Sequence, residues 1–316
     1  VGWVKFKSAL PKGTEVKLYH AEVLDKKGEF YTTNLRKAEQ KNIFILNGDE
    51  DQIYEPVFTF QGFRYLKIDG IDKININDFK AVALYSDMEF TGQLTTSNKL
   101  INQLQQNIQW SQRGNFLDVP TDCPQRDERL GWTGDAQAFF NTAGFNMDVK
   151  NFFDKWLIDL TYDQRSDGAV PGVVPHNNYL GLNDSEGIEG NFGRTGWADA
   201  ATIIPWNSFL IYGDKETLER QYLSMKNWIG FMTKNSINNL FQKRDHWGDW
   251  LFFSRDNDNS GVSAVTSKKL IAQAFYCYST KLLIKAAKVL DYQDDLKVYS
   301  ELYQKILGAF NDEFLT

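Results

Sequence analysis

Cysteine is nearly absent from this 316-residue sequence: it has only Cys123 and Cys277, far apart and without C-x-x-C or Cys/His ligand spacing. That excludes a disulfide framework and a zinc motif. Histidine is almost as scarce, with three residues, none in a His-x-x-x-His pair; no metal and no cofactor are expected. Long apolar runs are missing too. Stretches such as Phe139-Phe140 and Ile203-Ile204 fall far short of the roughly 20 residues that span a bilayer, so a membrane is not an expected partner. Basic charge is in deficit: the formal net charge is −6, and no Lys/Arg run is interleaved with aromatics. Nucleic acid is therefore not an expected partner either. There is no Gly-x-Ser-x-Gly elbow, no P-loop and no Gly-x-Gly-x-x-Gly after a strand, which leaves serine-hydrolase and nucleotide-enzyme readings unsupported. Neither an initiator Met nor a basic, apolar leader precedes Val1-Gly-Trp-Val-Lys-Phe. The chain is expected to be cut at that end.

Aromatic residues, by contrast, are abundant, at 15% with nine Trp. Flat rings serve as core bulk and also stack on the C–H faces of sugars; core packing accounts for most of them. From Val1 to about Tyr85 the apolar pattern has period two, as in Val16-Lys-Leu-Tyr-His-Ala-Glu-Val and Asn42-Ile-Phe-Ile-Leu. Turn chemistry at Lys12-Gly13, Lys27-Gly28, Asn47-Gly48-Asp49 and Asp69-Gly70 separates these segments. The pattern predicts an antiparallel β-sandwich or jelly-roll domain over 1–90. From Ser97, a candidate N-cap, the period becomes helical, with Leu100, Leu104 and Ile108 four residues apart. Further helices are predicted at about 135–143, 148–164, 197–212, 215–235, 264–290 and 293–315, so 91–316 is read as all-α. The polar, Gly-rich connection from Ser166 to Gly196 exceeds ordinary loop lengths and is a candidate to line a site. The last helix still runs amphipathically at the end of the sequence, so that end is expected to be cut as well.

One segment concentrates chemistry. Residues 116 to 137 contain Asp122-Cys-Pro-Gln-Arg-Asp-Glu-Arg-Leu-Gly-Trp-Thr-Gly-Asp135, whose prolines and glycines forbid a continuous helix. Thr133 is a candidate cap for a helix beginning at about Gly134, so the loop delivers its polar groups to a helix end. It carries four carboxylates (Asp122, Asp127, Glu128, Asp135), two guanidinium groups (Arg126, Arg129) and the indole of Trp132. Glycoside hydrolysis needs two carboxyl groups across the scissile bond, one of them protonated to donate to the leaving oxygen. Acidic crowding and burial favour a neutral carboxyl while a neighbouring Arg disfavours it. Charge count alone does not say which is which, and mixed-charge loops are commonly solvated ion pairs.

The run from Asp122 to Asp135 resembles the signature of the bacterial α-L-rhamnosidases, inverting glycoside hydrolases whose catalytic domain is an (α/α)6 barrel. Lys12-Gly-Thr-Glu-Val, His20-Ala-Glu-Val-Leu-Asp and Glu55-Pro-Val-Phe-Thr-Phe-Gln-Gly-Phe-Arg-Tyr are similar to the β domain that precedes that barrel. Gly196-Trp-Ala-Asp-Ala and Gly248-Asp-Trp-Leu are similar to barrel segments that reach the sugar. The resemblance implies the N-terminal part of an incomplete (α/α)6 barrel over 91–316, and Glu128 as general acid. It also implies that Asp122, Arg126 and Asp135 hold rhamnose hydroxyls, with Trp132, Trp197, Trp247 and Trp250 as an apolar wall and Asp249 beside them. Such a wall suits a sugar whose C6 is a methyl group.

The implied partner is a rhamnose-containing oligosaccharide or glycoside, and a secreted or periplasmic location is expected over a cytoplasmic one. An inverting enzyme also needs a general base roughly 6.5–9.5 Å from the acid. The family uses a Glu late in the barrel, which is expected beyond Thr316; this stretch alone is therefore expected to be poorly active. Asp199 and Asp249 are weaker candidates for the base, and His246 is a candidate sugar hydrogen-bond donor. Two rival readings stand beside this one: a helical-barrel glycosidase acting on another sugar, and a non-catalytic glycan-binding fragment.

Overall fold

The computed structural model describes residues 1–177, 191–241, 246–250 and 266–315. Among the described residues ten strands occur in chain order: β1 Gly2–Lys7, β2 Glu15–Ala21, β3 Val23–Leu24, β4 Phe30–Tyr31, β5 Lys41–Ile45, β6 Ile53–Tyr54, β7 Tyr65–Asp69, β8 Phe79–Ala83, β9 Phe116–Leu117 and β10 Val119–Pro120. Seven helices are described: α1 Lys99–Asn115, α2 Thr133–Asn146, α3 Lys150–Asp163, α4 Ala200–Tyr212, α5 Lys215–Lys234, α6 Lys268–Val289 and α7 Gln293–Phe314. None is long and apolar enough to cross a membrane. By internal contacts the chain divides into two compact units, Val1–Met88 with Gln93–Leu130, and Glu89–Gly92 with Gly131–Thr316.

The first unit holds two three-stranded antiparallel sheets, ordered β6-β1-β8 and β5-β2-β7. Alternation explains them: Val4 and Phe6 of β1, and Val16 and Leu18 of β2, turn to a common core with Leu46 and Tyr54. Phe6 lies at the centre, stacked on Tyr54 at 5.2 Å and Phe79 at 5.4 Å, with Phe44 edge-on at 5.3 Å. This is the predicted antiparallel β-sheet domain. Helix α1 is capped by Asn98, whose side chain accepts from Leu100 N at 2.9 Å, one residue later than the Ser97 expected; its Leu100 and Leu104 are exposed.

Helices of the second unit pair as hairpins. Gly213 ends α4 in the left-handed conformation (φ 68°), and Asp214 then caps α5 by accepting from Glu216 N at 2.9 Å. Helix α4 packs against α2, α3, α5 and α6. Its residues Ala200 to Trp206 are all buried, as a helix apolar on every side requires. Among the described residues the second part is helical, as expected for part of an (α/α)6 barrel. The long connection predicted from Ser166 to Gly196 is structured where it is described, and 178–190 lie outside the described residues. Residues 169–174 are buried and run between two neighbours. Val174 N donates to Gly131 O at 2.9 Å, Thr133 N to Gly172 O at 2.9 Å and Gly172 N to Asn191 O at 2.7 Å.

Candidate active site

In the first unit the β9–β10 ribbon, a pairing too short for sequence periodicity to reveal, leads into the charged loop. Asp122 closes that loop at its base: its amide donates to Leu130 O, and its Oδ1 accepts from Leu130 N, both at 3.1 Å. Its Oδ2 accepts from the Cys123 thiol at 2.7 Å. Burial pushes the Asp122 carboxyl above its ordinary range, with the Cys123 hydrogen bond opposing. Burial, and then that same hydrogen bond, push the Cys123 thiol up to about 12; it remains a thiol, and a donor, at any working pH.

Glu128 sits near the tip, with 19% of its side chain exposed. Its Oε2 meets Arg126 Nη2 at 2.8 Å, Arg36 Nη1 at 3.1 Å and the Cys123 sulfur at 3.8 Å. Arg126 donates through Nε to the same sulfur at 3.0 Å. The ligand atoms of Asp122, Cys123 and Glu128 lie within 4.8 Å of one another, and two guanidinium groups already supply positive charge at Glu128.

Sheet-domain residues brace the loop from outside. Arg129, with φ 49°, donates to Phe60 O at 3.2 Å and Gln40 Oε1 at 3.0 Å. Gln40 Nε2 donates to Gln125 O, and its own carbonyl accepts from buried His20 Nδ1 at 2.9 Å. Gly62 is required by close approach: a Cβ there would lie 2.8 Å from Gln125 Cβ.

The second unit gathers the tryptophans. Trp247 is central: its ring lies 5.6 Å from Trp132, 4.7 Å from Trp197 and 6.4 Å from Trp250, and the Arg194 guanidinium covers it at 4.7 Å. Two glycines make room. A Cβ at Gly134 would lie 2.6 Å from Trp197 Nε1, and one at Gly172 would lie 3.0 Å from Trp247. The Trp132 indole N–H is buried without a hydrogen-bond partner among the described residues, a state that native proteins seldom leave unexplained. His246 is buried, and its Nδ1 accepts from Thr195 N at 3.2 Å, which assigns the proton to Nε2.

Other expectations divide. Asp135 is exposed in the first turn of α2, where its charge suits the helix dipole. Thr133 does not cap α2; it is the first helical residue, and its hydroxyl donates instead to Gly172 O at 3.0 Å. Trp250 is 51% exposed, and Asp249 Oδ2 accepts from Thr266 N at 3.1 Å. Asp199 is ruled out as a general base by its setting. It is fully buried and accepts from Ser279 Oγ at 2.6 Å, Gly196 N at 2.7 Å and Trp228 Nε1 at 2.9 Å, so both carboxylate oxygens are committed. Sequence reasoning missed Arg36, Cys123 as a bridge, Arg194 and Gln40. Arg36 and Gln40 lie about ninety residues before the loop they brace, and no local pattern announces such contacts.

Two family models match the chain: the bacterial α-L-rhamnosidase 6 hairpin glycosidase domain over residues 89–316, and the bacterial α-L-rhamnosidase concanavalin-like domain over 1–85. An α-L-rhamnosidase of Formosa agariphila is 38% identical over 99% of this chain and 33% of its own length. One of Streptomyces avermitilis is 38% identical over 100% of this chain and 28% of its own length. The crystal structure of the Streptomyces avermitilis enzyme complexed with L-rhamnose has a TM-score of 0.88 at 37% identity, over 100% of this chain and 29% of that one. That of the native Aspergillus terreus enzyme has a TM-score of 0.89 at 36% identity, over 100% of this chain and 36% of that one. The chain thus spans about a third of the length of the relatives it matches.

Proposed function

The chain belongs to the bacterial α-L-rhamnosidases, and on that premise we propose that it supplies the general acid, Glu128, for inverting hydrolysis of terminal non-reducing α-L-rhamnosyl residues. The neutral carboxyl gives its proton to the glycosidic oxygen as the bond to the anomeric carbon breaks through an oxocarbenium-like transition state. Water then enters from the opposite face, deprotonated by a second carboxylate. Asp199 is not that carboxylate, for the reason given above, and no residue of this chain is assigned the role. Asp122, Arg126 and Asp135 are assigned to sugar hydroxyls, and Trp132, Trp197, Trp247 and Trp250 with Asp249 to an apolar wall and its polar edge. The indole N–H of Trp132, buried and without a hydrogen-bond partner among the described residues, supports a hydrogen bond held for ligand.

The observation that carries the reading is the setting of Glu128: a mostly enclosed carboxyl on a loop closed by Asp122 and braced by Arg129 and Gln40. Bracing holds an acid at fixed geometry, which proton transfer in a transition state requires. In the full-length protein, Glu128→Gln is expected to lower kcat on an aryl α-L-rhamnoside by about 10²–10⁴-fold while rhamnose binding, measured by calorimetry, persists. Undiminished activity in the variant removes Glu128 from the mechanism.

A further inference from the structure

We propose that Arg36, which belongs to the β-rich segment and not to the helical one, is a positioning residue for Glu128: with Arg126 it fixes the transferable proton on Oε1. The inference rests on the reading of Glu128 as the acid. Both guanidinium contacts fall on one oxygen, Oε2, at 3.1 Å from Arg36 and 2.8 Å from Arg126. Among the described residues the hydrogen bonds to Glu128, from Arg36 Nη1 and the Cys123 thiol, also fall on Oε2, and Oε1 takes none. A guanidinium offers only N–H donors and no acceptor. A proton on Oε2 would therefore point at other protons, whereas a proton on Oε1 leaves both contacts intact. The neutral acid is thus held as one tautomer, with Oε2 anchored and Oε1–H presented. When Oε1–H passes to the glycosidic oxygen, the carboxylate left behind already faces two cations, a preorganised electrostatic gain that grows as charge develops.

Local structure aims Arg36 at this task. The 3-10 turn Thr33–Leu35 is anchored by buried Leu35 and ends on Arg36 at φ 56°, ψ −113°, a backbone conformation that costs a non-glycine residue energy and persists only when its surroundings enforce it. The next amide, Lys37 N, donates to Asp127 Oδ2 at 3.4 Å, and Arg36 Nη1 lies 3.8 Å from Asp127 Oδ1. The turn therefore addresses the Asp127-Glu128 tip at three points. Stability does not account for the arrangement, because the Arg36 side chain is 53% exposed and ion pairs that open contribute little to folding.

The test compares leaving groups in the full-length enzyme. A methyl α-L-rhamnoside needs protonation of its leaving oxygen, whereas a 2,4-dinitrophenyl α-L-rhamnoside departs with little help. Arg36→Ala is expected to lower kcat on the methyl glycoside about tenfold, and on the dinitrophenyl glycoside by no more than about twofold, with KM nearly unchanged. Arg36→Lys, which keeps the charge, is expected to recover most of the loss. Glu128→Gln, measured alongside, is expected to show the same selectivity more strongly. An equal fall on both substrates, as misfolding or a purely structural role would give, overturns the inference, as does no fall on either. If Glu128→Gln shows no selectivity, the acid assignment itself fails and takes the inference with it.

Discussion

Asp199 and Glu128 show at the scale of single residues how one functional group is placed in opposite settings. Both are carboxylates beside aromatic or cationic neighbours in sequence, and sequence admits each to acid/base work. Asp199 is sealed, with donors on both oxygens from three different parts of the second unit. Glu128 accepts its hydrogen bonds among the described residues through Oε2 alone. Burial and partner count separate them, and neither quantity is written in local sequence. Removing the sealed group leaves an indole N–H and an amide without an acceptor, each costing about 1–3 kcal/mol when buried, whereas the Ser279 hydroxyl keeps Thr202 Oγ1 at 2.8 Å. Asp199→Ala is accordingly expected to destabilise the chain by about 2 kcal/mol or more, read as a shift in the urea midpoint at unchanged slope. A loss under about 1 kcal/mol would mean that these donors find other partners and that the network is not structural. The signature from Asp122 to Asp135 singles out Glu128 as a candidate in the sequence; Arg36 is not singled out, since its contact spans 92 residues of chain.

Helices and strands were read more easily than their ends. Period-two alternation located β1, β2, β5 and β7, and the helical period located α2 to α7, because each buries one face or, for α4, all faces. Caps were less legible. Thr133 has the right side chain and position for capping, but the strap at Pro171-Gly172 offers it carbonyl acceptors that a local rule does not foresee. The same helix start holds a glycine with a stated reason. A Cβ at Gly134 would press on Nε1, Cε2 and Cδ1 of Trp197, all within 2.8 Å, and an indole ring cannot yield at its flexible end. Alanine is the better helix former by about 1 kcal/mol, so Gly134→Ala leaves α2 itself unharmed while displacing the indole. In the full-length enzyme this variant is expected to lose about tenfold in kcat/KM on an aryl rhamnoside, with a changed near-ultraviolet dichroism and an unchanged far-ultraviolet spectrum. Full activity with the indole signal altered would take Trp197 out of the sugar wall.

Across the whole molecule, division of labour follows composition. Two small antiparallel sheets bury one shared core, and the segments between their strands lend Arg36, Gln40 and Phe60 to the charged loop. Helical hairpins bury α4 and collect Trp132, Trp197 and Trp247. The change of period near residue 90 made the two kinds of architecture legible, whereas the grouping of Gln93–Leu130 with the sheets arises from tertiary contacts that periodicity does not encode. The central claim is inverting rhamnosyl hydrolysis in which Glu128 is the proton donor and a separate carboxylate activates water. Proton NMR of the full-length enzyme turning over an α-L-rhamnoside, recorded before the sugar mutarotates, tests it most directly. The account predicts β-L-rhamnose as the first-formed product, decaying toward the anomeric equilibrium; α-L-rhamnose appearing first would mean retention and contradict it.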